Sequence, residues 1–260
     1  MDLGIAGRTA FVAASSQGLG LACGRALARE GAVVTLNGRS AARLEAAART
    51  ITGEFPGAVI RWIEADLNTA EGRARIVAQL PQVDILVTNN EGPKPGGMEG
   101  WTEEALIGAM EMNMIPAVQL MRAYVPGMRA RRFGRVVHIT SAMVKSPRYF
   151  MGLSTAARTA LTAISKAVAR EVAADNVTVN TLMPEKIDTP RQEAVAAHFA
   201  RTEGLTRDQV RARTVASVAA KRFGQAHEVG DACAFLCSDQ AGYIAGQNLQ
   251  LDGGTYEGLI

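Results

Sequence analysis

Little in this chain of 260 residues points to metal, disulfide or membrane chemistry. It has three cysteines (Cys23, Cys233, Cys237) and three histidines (His138, His198, His227), scattered along its length. No CxxC pair occurs, so neither a disulfide framework nor a metal site takes shape, and none is expected. The thiols are expected to be packed groups in a reducing cytoplasm. No run of about 18 uncharged apolar residues occurs, which rules out a transmembrane helix. The first residues lack a basic segment ahead of an apolar core and read as mature protein, not as a secretion signal. The charge excess is small, 28 basic against 25 acidic residues. It gives no reason to expect nucleic acid or an anionic membrane as partner.

What the chain does have is alternation. Strand-like runs fall at Thr9–Ala13, Val33–Leu36, Val59–Glu64, Asp84–Thr88, Arg135–Thr140, Val177–Leu182 and Leu249–Asp252. Between them lie helical spacings at Gly18–Arg29, Ala41–Thr50, Ala70–Gln79, Glu103–Met128 and Thr155–Ala174. Seven strands alternating with about six helices imply an α/β fold: a doubly wound parallel sheet covered on both faces. No linker or repeat divides it, so residues 1–260 read as one domain. The polar, helical stretch of residues 187–220 is placed to be a lid over the carboxyl ends of the strands, where such sheets bind ligands.

After the first strand comes Ala13-Ala14-Ser15-Ser16-Gln17-Gly18-Leu19-Gly20, then a helix. Small residues let backbone approach a pyrophosphate, and the helix N-terminus supplies free N–H groups and partial positive charge. Alone, this motif also fits a tight turn without ligand. Here the chain resembles the short-chain dehydrogenase/reductase family. The turn is similar to that family's TGxxxGxG loop, with Ala13 and Ala14 at its first two positions. Asn89-Asn90-Glu91-Gly92 resembles NNAG, with Glu91 in place of alanine. Asn180 to Pro184 resembles N-x-x-x-P-G, and the stretches from Arg222 and from Gly246 resemble the C-terminal signature.

The resemblance implies a single-domain Rossmann fold and a dinucleotide cofactor held by Ser15, Ser16, Gly18, Leu19 and Gly20. It extends that set to Asp66 and Leu67 at the adenine, to Asn90 and Gly92, and to Pro184, Ile187 and Thr189. No Asp or Glu lies between Gly31 and Arg43, where an NAD site usually keeps a carboxylate for the ribose 2′-OH. Arg39, with no acidic side chain opposing it, is placed to meet a 2′-phosphate, and Asn37 and Ser40 to add hydrogen bonds. This favours NADP(H).

The family's catalytic serine and asparagine correspond to Ser141 and Asn113. Its YxxxK motif falls on Ser154 and Arg158, so it reads SxxxR here. Residues four apart on a helix share a face, so both should still point into the cleft. A tyrosine beside a lysine exchanges a proton near neutral pH, whereas a serine is a far weaker acid and an arginine stays charged. Arg158 can still bind the nicotinamide ribose. Tyr149, Lys145, Glu185 and Glu91 are candidate replacement donors, each with a packed, solvated or salt-bridged role as the alternative.

The reading is therefore an NADP(H)-dependent oxidoreductase on a small carbonyl or alcohol substrate, with a non-standard site. The alternatives are a dinucleotide-binding protein without turnover, in a binding or regulatory role, and a lyase or isomerase step on the same scaffold. The resemblance also implies a homotetramer, with Ala109, Ala163 and Ala167 on helix faces turned away from the sheet.

Overall fold

The computed structural model describes residues 2–259. The chain opens with β1 (Thr9–Val12), α1 (Gly18–Arg29), β2 (Val33–Gly38), α2 (Ala41–Glu54), β3 (Ile60–Glu64) and α3 (Ala70–Gln79). Then come β4 (Ile85–Thr88), α4 (Glu103–Asn113), α5 (Ile115–Ala130), β5 (Gly134–Ile139), α6 (Gly152–Val172) and β6 (Val177–Pro184). The last part holds β7 (Ile187–Asp188), α7 (Pro190–Glu203), α8 (Arg207–Ala216), β8 (Gly224–Gln225), α9 (Ala226–Leu236) and β9 (Asn248–Leu251).

Seven strands pair in parallel in the order β3-β2-β1-β4-β5-β6-β9. Alternate residues along each strand enter opposite faces, and both faces are apolar. Ala10 and Val12 of β1 join α1, α2 and α9 in one core, while Phe11 joins α3, α5 and α6 in the other. The order reverses between β1 and β4. That switch point opens a crevice at the carboxyl ends of these strands.

Two expectations change in detail. The helical stretch from Glu103 to Met128 is two helices, with Met114 between them at φ −116°. Pro116 sits in the first turn of α5, where its missing N–H costs nothing. Ala109, expected on an outward face, is instead buried at 1% exposure where α4 packs against α6; Ala163 and Ala167 are exposed. The residues 187–220 fold into β7, α7 and α8, with β7 pairing to β8 in a separate two-stranded ribbon.

The three cysteines meet in the core between α1 and α9. Hydrogen bonds from Cys23 and Cys237, then burial, push the Cys233 thiol well up, so it stays protonated. Among the described residues no cluster of His, Cys, Asp or Glu has the form of a metal site, and no helix is long and apolar enough to cross a membrane.

Candidate functional site

The first turn is built to hold α1 close to the end of β1. A Cβ on Gly20 would stand 2.4 Å from the carbonyl oxygen of Ala14, so only glycine lets the helix start here. Gln17 precedes α1 without making a side-chain cap. The first N–H groups of the helix therefore face the crevice with no capping side chain, a standing site for an anion. Gly18, at φ +60°, has open space around it. Ser15 is fully buried; its hydroxyl donates to the Val12 carbonyl at 2.7 Å and accepts from the Asn37 N–H at 2.9 Å. The half-buried Ser16 is the hydroxyl left at the surface of this turn.

At the outer end of the crevice, two expectations are corrected. Asn37 is fully buried, and its Nδ2 donates to the carbonyls of Ile63 and Ala65, both at 3.1 Å. Its Oδ1 accepts from the Ala14 N–H at 3.3 Å. This amide ties β2 to the end of β3 and to the first turn, so it has nothing left for a phosphate. Arg39 is exposed as expected, but it is not unopposed: its Nη2 pairs with Glu91 Oε1 at 2.9 Å. Ser40 precedes α2 without making a side-chain cap.

Side-chain amides lock the loop after β4. Asn90 Nδ2 donates to Asn68 Oδ1 and to the Met112 carbonyl, both at 2.8 Å, and Asn89 Nδ2 donates to the Ala14 carbonyl at 3.3 Å. Asp66 Oδ1 accepts from the Asn68 N–H at 3.0 Å, and Leu67 is buried beside it. Ala13, Leu67, Asn90, Asn113 and Arg158 line a common cleft here.

Ser154, Arg158, Asn113 and Gly92 converge at the inner end. Ser154 and Asn113 are each 6% exposed. Arg158 donates from Nε to Ser154 Oγ at 3.2 Å, and from Nη1 to the carbonyls of Ile139 and Thr140 at 3.0 and 3.1 Å. Asn113 Nδ2 donates to the Glu91 carbonyl at 2.7 Å, while its buried Oδ1 has no partner. A Cβ on Gly92 would stand 3.3 Å from both Asn113 Oδ1 and Ser154 Oγ, and 3.6 Å from Arg158 Nη2. Burial, then the charge of Arg191, pushes Arg158 down to about 10, so it stays charged at neutral pH. Ser141, just beyond β5, accepts from the Met143 N–H at 3.2 Å and caps the short turn that follows. Pro184 and Ile187 are buried at the end of β6 and in β7, and Thr189 caps α7 through the Gln192 N–H at 3.4 Å.

The alternative donors each have contacts of their own. The Tyr149 hydroxyl accepts from the Met98 N–H at 2.9 Å, and its ring packs 5.5 Å from that of Trp101. Glu185 is buried against Arg148 at 2.8 Å, and the Lys145 ammonium lies 5.6 Å over the Tyr256 ring. One neighbour had no local signal in the sequence. Arg191 Nη2 donates to the Pro93 carbonyl at 3.0 Å, joining residues 98 apart.

A family model described as enoyl-(acyl carrier protein) reductase matches residues 13–256. Dehydrogenase/reductase SDR family member 4 of Bos taurus is 32% identical over 97% of this chain and 88% of its own length. The chain belongs to the short-chain dehydrogenase/reductase family. A further relative, the NADPH-dependent reductase BacG of Bacillus subtilis (strain 168), is 27% identical over 97% of this chain and 99% of its own. The crystal structure of L-sorbose reductase from Gluconobacter frateurii, complexed with NADPH and L-sorbose, matches with a TM-score of 0.92. It is 31% identical, and the match covers 100% of both chains.

Proposed function

We propose that this protein is an NADP(H)-dependent oxidoreductase acting on a carbonyl or alcohol group, with Ser154 and Arg158 standing where the family pattern has tyrosine and lysine. The residues present fit the cofactor. The uncapped N-terminus of α1 and Ser16 suit its pyrophosphate, Arg39 its 2′-phosphate, and Asp66 with Leu67 its adenine. Asn90 and Gly92 shape the loop beside it, and Pro184, Ile187 and Thr189 border its nicotinamide end. The NADPH in the sorbose reductase structure and the name of BacG support the same choice. Bound there, the cofactor supplies or accepts a hydride.

The observation that carries the chemistry is the bond from Arg158 Nε to Ser154 Oγ, beside Gly92 and the orphaned Asn113 Oδ1. Because the serine oxygen accepts from Arg158, its own hydrogen is free to be donated to a substrate oxygen. Ser141 lies at the same end of the sheet and offers a second hydroxyl. As negative charge grows on the substrate oxygen, these hydroxyls and the fixed guanidinium charge stabilise it. Arg158 supplies charge and not a proton, since it stays protonated at neutral pH. Water delivers the final proton. We read α7 as a lid toward this end, supported by Arg191 reaching the Pro93 carbonyl and by Phe199 meeting Phe150 edge-on at 5.2 Å.

The test is calorimetry with NADPH and NADH, followed by loss of reduced-nicotinamide absorbance with ketoses, 3-oxoacyl thioesters and simple ketones. NADPH should bind more tightly, and one carbonyl class should be reduced. Failure to bind either dinucleotide would overturn the reading. Binding without oxidation of NADPH across the panel would assign the protein a binding role instead.

A further inference from the structure

The inner end of the crevice carries more positive charge than its own carboxylates can answer. Arg158 Nη2 faces Gly92 from the α6 side, and Arg191 Nη2 donates to the Pro93 carbonyl from α7. Two guanidinium groups thus reach adjacent residues of one loop, Gly92 and Pro93. Among the described residues neither has a carboxylate within 4.0 Å, while the carboxylates around them are already committed. Glu185 is held by Arg148, Asp188 and Glu193 by Arg211, and Glu91 by Arg39. Holding two like charges together at the floor and rim of a cleft is unfavourable, and an anion placed between them removes that cost.

We infer that Arg191 and Arg158 bind an anionic group of the substrate, and that the substrate is an oxo acid or hydroxy acid whose carboxylate lies near the reacting carbon. The planar donor fork of arginine matches a carboxylate. The carboxylate belongs near the reacting carbon because Arg158 is itself bonded to Ser154, the hydroxyl assigned to the substrate oxygen. The cofactor's phosphates are served elsewhere, by the N-terminus of α1 and by Arg39 at the outer end. The inference rests on the oxidoreductase reading for the identity of the substrate, but the anion site can be tested without turnover.

The experiment compares oxamate with oxamide, two unreactive molecules of similar shape that differ in charge. Each is titrated calorimetrically into the protein saturated with NADP+. Oxamate should bind at least about tenfold more tightly than oxamide, about 1.4 kcal/mol. Arg191→Gln should cut oxamate affinity by about tenfold, with NADP+ affinity unchanged within about twofold; Arg191→Lys should fall between. Arg191 is exposed, so these variants should keep the wild-type melting temperature. Equal binding of the two probes, or no oxamate binding by a protein that does bind NADP+, would overturn the inference. So would an Arg191→Gln variant that loses NADP+ and oxamate affinity alike, since the guanidinium would then serve a cofactor phosphate. If NADP+ itself fails to bind, the oxidoreductase reading falls, and the same titrations on the free protein decide the anion site. A charge preference that depends on Arg191 keeps it, and any other result removes it.

Discussion

Arg39 Nη2 lies 2.9 Å from Glu91 Oε1, and this ion pair ties the end of β2 to the loop after β4 across the outer end of the crevice. A 2′-phosphate must take Arg39 from that carboxylate. The pair is exposed on both sides, so it is worth at most about 1 kcal/mol. Glu91→Gln should therefore raise the affinity for 2′-AMP by roughly two- to fivefold and leave 5′-AMP unchanged. Arg39→Ala should remove the preference for 2′-AMP. Calorimetry on the two nucleotides measures both. An unchanged ratio in the Glu91 variant would show that the carboxylate does not compete.

His138 sets a pH limit on stability. It is fully buried on β5, with Nδ1 2.6 Å from Thr88 Oγ1 and no partner for Nε2. Burial pushes its pKa down to about 4 from an ordinary 6.5. Above pH 6.5 the ring is neutral folded and unfolded, so it adds no pH dependence. As pH falls below 6.5 the unfolded chain takes the proton first, so stability is lost until about pH 4. At pH 5 the loss should be about 2 kcal/mol relative to pH 7.5. Urea unfolding at both values measures it. A His138→Gln variant should lose that part of the slope, and an unchanged slope would place the acid sensitivity elsewhere.

How much of this was legible before folding depends on range. Strands and the first turn announce themselves locally, through short continuous apolar runs and through Gly18 and Gly20 opening a helix. The break at Met114 had a local cue: Pro116 is favoured in the first turn of a helix, although Pro126 inside α5 shows that a proline alone does not fix a boundary. The fate of Asn37 was not local. Its position resembles a phosphate ligand's, but the carbonyls of Ile63 and Ala65 claim its amide once β3 pairs with β2. Glu91 opposing Arg39, and Arg191 reaching Pro93, join elements that only the sheet order and the α7 segment bring together.

Ala14 stores strain. The residue has φ +45°, in the left-handed region that costs a side chain about 1 kcal/mol or more. Its carbonyl is the one that Gly20 approaches, so the turn cannot relax without moving α1. Ala14→Gly should stabilise the fold by roughly 1 kcal/mol and raise Tm by about 2–4 °C. Differential scanning calorimetry checks this. An unchanged or lower Tm would mean that the added freedom of glycine in the unfolded chain outweighs the relief.

Ordinary reduction of simple ketones should be slow in this protein, because Ser154 is a weak acid and Arg158 keeps its proton. General acid catalysis contributes about a hundred- to ten-thousand-fold, which sets the gain available from restoring a phenol. Ser154→Tyr with Arg158→Lys supplies the phenol and a neighbouring ammonium that lowers its pKa. The change has a structural cost. Arg158 Nη1 serves the carbonyls of Ile139 and Thr140, and Ser154 Oγ lies close against Gly92, so the tyrosine ring must extend into the open crevice. Two hydrogen bonds lost at the end of β5 predict a loss of about 1–3 kcal/mol of stability, visible as a lower Tm. Turnover of simple ketones with NADPH should nonetheless rise by at least about tenfold. Arg158→Lys alone should not raise it, since no phenol is then present. A double variant that folds and binds NADPH but stays as slow as the parent would refute the proton-donor argument and place the limit in substrate access.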